Sequence, residues 1–151
     1  MNDKTLPTWV EGTYDPHNIF AKILRCEAPC HEVYEDPDIL AFLDAFPQNR
    51  GHTLLIPRRA TSRNLFDIDP STLARLTVAT QLVARAIVSA LQPDGVQIFQ
   101  QNAADAGQTA FHMQVHVVPR WRGGSLGLRH AQKGDPAELA ELALLISRHL
   151  P

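Results

Sequence analysis

No run of basic residues appears in this sequence. Lysine and arginine number 14 against 16 acidic residues, a net charge of -2. Neutralising a nucleic-acid backbone takes a clustered positive footprint, so polymeric DNA or RNA is not an expected partner. A small anion needs only a local field and stays open. Long apolar runs are missing as well. The longest, such as Thr53 to Pro57, fall far short of the roughly 20 residues that cross a bilayer, and no membrane partner is expected. The opening Met1-Asn2-Asp3-Lys4-Thr5 lacks the charged-then-apolar pattern of a secretory leader, so the expected location is cytoplasmic. Cysteine is scarce, with only Cys26 and Cys30. Zinc there would need two more ligands, and His17 and His31 are nearest in sequence. Two reduced thiols are the simpler expectation. Internal repeats and low-complexity segments are both lacking.

What is present suits one α+β domain. The chain has 151 residues, 44% of them hydrophobic, enough for a real core. Asp15-Pro16-His17-Asn18 predicts a short helix start, with Ile19, Phe20, Ile23 and Leu24 on one face and Pro29 closing it. Glu32–Glu35, Ile39–Leu43 and Thr53–Pro57 read as strands. Asp69-Pro70-Ser71 opens the longest helix, where Leu73, Leu76, Thr80, Val83, Ile87 and Leu91 recur at three and four. Residues 96–101 and 111–119 read as a fourth and fifth strand. Asp135-Pro136 starts a last helix carrying Leu139, Leu142 and Ile146. Strands and helices without strict βαβ alternation favour an antiparallel sheet of about five strands.

The segment Gly107-Gln108-Thr109-Ala110-Phe111-His112-Met113-Gln114-Val115-His116-Val117-Val118-Pro119-Arg120 alternates. Its apolar residues point one way on a strand, and His112, Gln114 and His116 stand in a row on the other face. His112 and His116 would lie about 13 Å apart at about 3.3 Å per residue, too far to share one zinc held at about 2.1 Å, so no metal is expected. A phosphate suits the row better. Imidazole titrates near neutrality, and can donate, accept or attack phosphorus. Backbone N–H groups around Gly107 and the Thr109 hydroxyl would hold oxygens. A half-exposed strand with chance polar residues is the plainer reading of the row taken alone.

In order along the chain, these residues resemble the histidine triad (HIT) family, whose signature is His-φ-His-φ-His-φ-φ with φ apolar, often after Gly-Gln-Ser/Thr and before Pro-Arg. Asn18 to Leu24, Phe42-Leu43-Asp44, Gly51 to Pro57 and Asn102 before Gly107 extend the likeness. It covers residues 16–125, leaving 1–15 as a polar leader and 126–151 as a C-terminal segment with a helix. The resemblance implies a HIT-like α+β fold, a homodimer, a purine nucleotide or dinucleotide as partner, and no cofactor. It also implies reaction at the phosphorus next to the nucleoside. By position it makes Asp44 the ribose ligand. Phe20, Leu43 and Ile56 would form the base slot, though Ile56 fits core packing better. His52 becomes a further site histidine, with a turn role equally open. Asn102, Gln108, Thr109 and His116 would line the phosphate. In the family the middle histidine is the covalent nucleophile; here that position is Gln114, and an amide has no basic ring nitrogen to carry a nucleotide. Three explanations stay open: a nucleotide-binding protein with little or no turnover, a hydrolase in which His112 or His116 activates water, or a substitution introduced to trap substrate.

Overall fold

The computed structural model describes residues 5–128 and 131–151. The first four residues, on which the cytoplasmic expectation partly rests, lie outside them. In chain order the elements are α1 (Ile19–Leu24), β1 (Glu32–Glu35), β2 (Ile39–Leu43), β3 (Thr53–Pro57), α2 (Pro70–Leu91), β4 (Gly95–Phe99), a 3-10 turn (Ala104–Ala106), β5 (Val115–Arg120) and α3 (Pro136–Ser147). The strands form one five-stranded sheet in the order β1-β2-β3-β5-β4, with every neighbouring pair antiparallel. This is the α+β, HIT-like architecture expected.

Side chains fix which face each helix covers. On β2, Ile39, Ala41 and Leu43 point to one side; on β3, Leu55 joins them, and α2 and α3 bring Leu76, Val83, Ile87 and Ile146 against them. Leu40, Phe42, Leu54 and Ile56 point to the other side, where they meet Phe20 and Ile23 of α1. Both central strands are therefore buried along their whole length, which is why they read as continuous apolar runs. Caps set the helix starts. The Asn18 side chain accepts from the N–H of Phe20 and Ala21, both at 3.0 Å. Asp69 accepts from Thr72 at 2.9 Å, and Asp135 from Ala137 at 2.8 Å.

Three boundaries correct the sequence reading. α1 begins after Asn18 rather than at Asp15, because Asn18 supplies the cap. β4 ends at Phe99. The fifth strand begins at Val115, not Phe111. Its pairing with β3 runs only from Thr53↔Val117 to Leu55↔Val115, and before that point the chain turns away: the Met113 N–H donates to the Ser62 carbonyl at 2.8 Å. α2 also departs from the short-run argument, since its length and composition alone would suffice to cross a membrane. Its apolar stripe is instead packed inside the domain, with Leu76, Ala79, Val83 and Ile87 buried.

Candidate functional site

On the α1 side of the sheet the six-residue helix covers only part of the surface, and a cavity of about 740 Å³ remains. Its walls include the apolar side chains of Phe20, Ile23, Phe42 and Leu54 and the polar ones of Gln101, Thr109, Gln114 and His116, and Leu54 lies directly across the strand pair from His116. Asp44 and Phe46 lie on its wall, and the C-terminal segment adds Lys133, Gly134 and Pro136. That segment is tied down by the Gly134 N–H, which donates to the Ala45 carbonyl at 2.8 Å. Of the expected slot residues, Phe20 and Leu43 line the cavity. Ile56 is fully buried in the packing behind it.

His116 lines the cavity and His52 lies behind it, and the protonation of the pair follows from the hydrogen bonds. The Gln48 N–H donates to His52 Nδ1 at 2.9 Å, so His52 carries its proton on Nε2. That Nε2–H lies 3.0 Å from His116 Nδ1 and donates to it. His116 therefore keeps its own proton on Nε2. The His116 ring is stacked on Phe99, with centroids 4.4 Å apart and planes at 9°. Burial pushes His52 down to about 3, helped by His116 and the nearby Arg120 charge, and burial alone pushes His116 down to about 4. Both rings are thus neutral near pH 7. Asp44 Oδ2 sits 3.6 Å from His52 Nε2, but a neutral ring makes no ion pair. Burial raises the Asp44 carboxyl above its ordinary value, opposed by the Phe46 N–H that it accepts.

Asp44, His52 and His116 bring three potential metal-binding atoms within 4.8 Å of one another. Their hydrogen bonds do not suit a metal. A ligating histidine ordinarily donates its other ring N–H to a neighbour. Here the other nitrogen of His52 already accepts a proton donor, so binding a cation through Nε2 would demand an imidazolate. Cys26 and Cys30 are free thiols, the first exposed. Among the described residues they join no such cluster.

The expected row of three is not formed. His112 precedes β5 and is only 1% exposed. Its Nε2–H donates to the Pro57 carbonyl at 3.0 Å, so its Nδ1 accepts from the Tyr14 hydroxyl at 2.6 Å. Phe20 and Tyr14 meet its ring edge-on. With both nitrogens taken and no place in the cavity wall, His112 anchors the N-terminal segment to the end of β3. Gln114 does reach the cavity, and its Nε2 donates to the Ala110 carbonyl at 3.2 Å.

The loop before β5 sorts the remaining candidates. Thr109 lines the cavity. Gln108 does not: its amide is spent on the Arg63 and Ala110 carbonyls and its oxygen on the Ala103 N–H and Asn64. Asn102 is likewise turned aside, its oxygen accepting from Leu65 at 3.0 Å and Gln100 at 2.7 Å. Its neighbour Gln101 takes the place at the wall. Gly107 at φ 95 makes room for it, since a Cβ there would lie 2.5 Å from the Gln101 amide nitrogen. Tyr14, Gln101 and Lys133 carried no periodic signal in the sequence. The Gly107 turn was the one local hint, and it pointed to a close approach without naming the partner.

Comparison with known proteins shows the family and the fold. The sequence profile described as HIT domain matches residues 25–123. The protein named Adenylylsulfatase HINT3 of Arabidopsis thaliana is 37% identical over 138 residues, covering 87% of this chain and 68% of that one. The crystal structure of a Hit-like protein involved in cell-cycle regulation from Bartonella henselae superposes with a TM-score of 0.85 at 42% identity, covering 91% of this chain and all of that one. A hypothetical histidine triad nucleotide-binding protein from Sulfolobus tokodaii strain7 gives a TM-score of 0.79 at 30% identity, covering 86% of this chain and 89% of that one.

Proposed function

Because this chain belongs to the HIT domain family, we propose that it binds a purine nucleotide in the cavity beside α1, with little turnover. The carrying observation is the mixed chemistry of that cavity's walls: aromatic and aliphatic side chains together with amide, hydroxyl and imidazole groups and the Asp44 carboxylate. A base fits against Phe20 and Phe42. Ribose hydroxyls donate to Asp44. The phosphate meets Thr109, Gln101, the Gln114 amide and the His116 Nε2–H, all of which can donate. His52 acts one step back, by fixing which His116 nitrogen carries the proton.

Gln114 stands where the family places its nucleophile. Losing a covalent nucleophile costs on the order of 10⁶ in rate where this has been measured in another enzyme class. The alternative, in which His112 or His116 activates water, meets two obstacles. Both His112 nitrogens are engaged away from the cavity, and the free His116 nitrogen carries a proton rather than accepting one. Calorimetric titration with adenosine and guanosine monophosphate tests binding; no affinity for either sinks the proposal. Turnover is tested on an adenylyl amide, a diadenosine polyphosphate and, given the name of the Arabidopsis relative, adenylyl sulfate. Gln114→His is expected to raise the rate by several orders of magnitude, and an unchanged rate would mean that the nucleophile is not what limits this protein.

Homodimer formation and a cytoplasmic location are part of the same proposal. β4 is an edge strand with Ile98 half exposed. It adjoins an apolar groove of α2 lined by Ala84, Val88 and Val96. An open edge beside an apolar groove favours pairing with a second copy. Ile98→Asp should then yield monomers in sedimentation velocity at concentrations where the parent sediments as dimers.

A further inference from the structure

A second cavity, of about 400 Å³, opens beside the first and shares Ile19, Thr109 and Ala110 with it. Its remaining walls include Thr13, Asn18 and Arg63. Arg63 is the one cationic side chain on that wall, and the chain holds it firmly. Its side chain is only 10% exposed. Nε donates to Asp67 at 3.2 Å, and Nη2 donates to the Val10 carbonyl at 2.8 Å. Residue 12 lies directly over Nη1, where a Cβ would come within 2.4 Å. The N–H groups of Nη1 have no partner among the described residues.

We propose that this cavity takes an oxyanion, the phosphate or sulfate attached beyond the nucleoside's own phosphate, and that Arg63 recognises it. The inference rests on the nucleotide reading of the neighbouring cavity. A phosphate held at Thr109 lies on the boundary between the two spaces, so the next group along the substrate has this cavity to enter. A planar guanidinium with both N–H groups of one terminal nitrogen unspent is the donor that a tetrahedral oxyanion fits best. Asp15 also lies on the wall, but its Oδ1 accepts from the backbone and ring of His17, and its side chain is 66% exposed. Solvent screens that charge far more than it screens Arg63.

Affinities for AMP, ADP and adenosine 5′-phosphosulfate, measured on the parent, Arg63→Met and Thr13→Glu, test the assignment. ADP, the phosphosulfate or both should bind the parent about tenfold or more tighter than AMP, the scale of one charge-assisted hydrogen bond. Preference for one of the two identifies the oxyanion. Both substitutions should bring that ratio close to one and leave AMP affinity in place. Thr13→Glu keeps the Arg63 pairings, so it reads the same cavity if Arg63→Met fails to fold. A parent that binds all three alike, or a ratio that neither variant changes, overturns the subsite. Failure of AMP itself to bind overturns the nucleotide reading, and the subsite with it.

Discussion

The two faces of the sheet solve the same burial problem differently. On the α2/α3 face, 22- and 12-residue helices cover β1 to β5, and the packing is continuous from Val33 to Ile146. On the opposite face a helix of six residues does the covering, and its smaller cluster stops at the rim of a cavity. The covered face holds almost no polar side chain. The partly covered face keeps two neutral imidazoles and a carboxyl whose properties depend on being out of water. A short helix therefore creates the cavity as much as any single residue does, because it leaves apolar surface on that face unburied.

That contrast can be broken deliberately. The largest effect belongs to the covered face. Leu76 is fully buried there, so Leu76→Ala should lower the unfolding free energy by about 2–5 kcal/mol while AMP affinity is unchanged under folding conditions. A denaturant titration alongside calorimetry checks this, and a matched loss of affinity would show that the faces are not independent. The next effect is a pH response of the partly covered face. His52 and His116 titrate near 3 and 4 in the folded chain against an ordinary 6.5. Between these values the unfolded chain binds more protons, so stability falls as pH falls from about 6.5 toward 4. Asp44, raised by burial, works in the opposite sense over its own window. Melting temperatures across this range should drop less for His52→Gln than for the parent.

Smaller still, Asp44→Asn should weaken AMP binding about tenfold, the scale of one hydrogen bond to a charged group, without lowering stability, because it removes a desolvated carboxyl. Equal binding by the variant would remove the ribose role. The smallest effect lies at the loop before β5. Ala103 sits at φ 75, ψ 161, a region in which side chains are strained by about 1–3 kcal/mol. Ala103→Gly should raise stability by roughly 1 kcal/mol, as read from the denaturation midpoint.

Regular elements were legible in the sequence where local patterning and packing agree. Asp69-Pro70 placed the start of α2 to the residue, and the runs at 39–43 and 53–57 placed the central strands. The polar row failed for a reason that alternation does not record. Phe111 to Val115 has strand periodicity, yet Met113 bonds to Ser62, and His112 turns inward to Tyr14 and Pro57. Periodicity reports which side chains can share a face. It does not report whether a partner strand extends far enough to hold them there.

Composition, caps and period thus determined the α+β class, the helices and the identity of the groups able to do phosphate chemistry. Tertiary structure alone decided which of those groups meet. His52 lies 64 residues from His116 and Tyr14 lies 98 from His112, and Lys133 reaches the cavity from beyond the last strand. Proton positions, burial and charge at the site all follow from such distant pairings, and no local pattern of the chain encodes them.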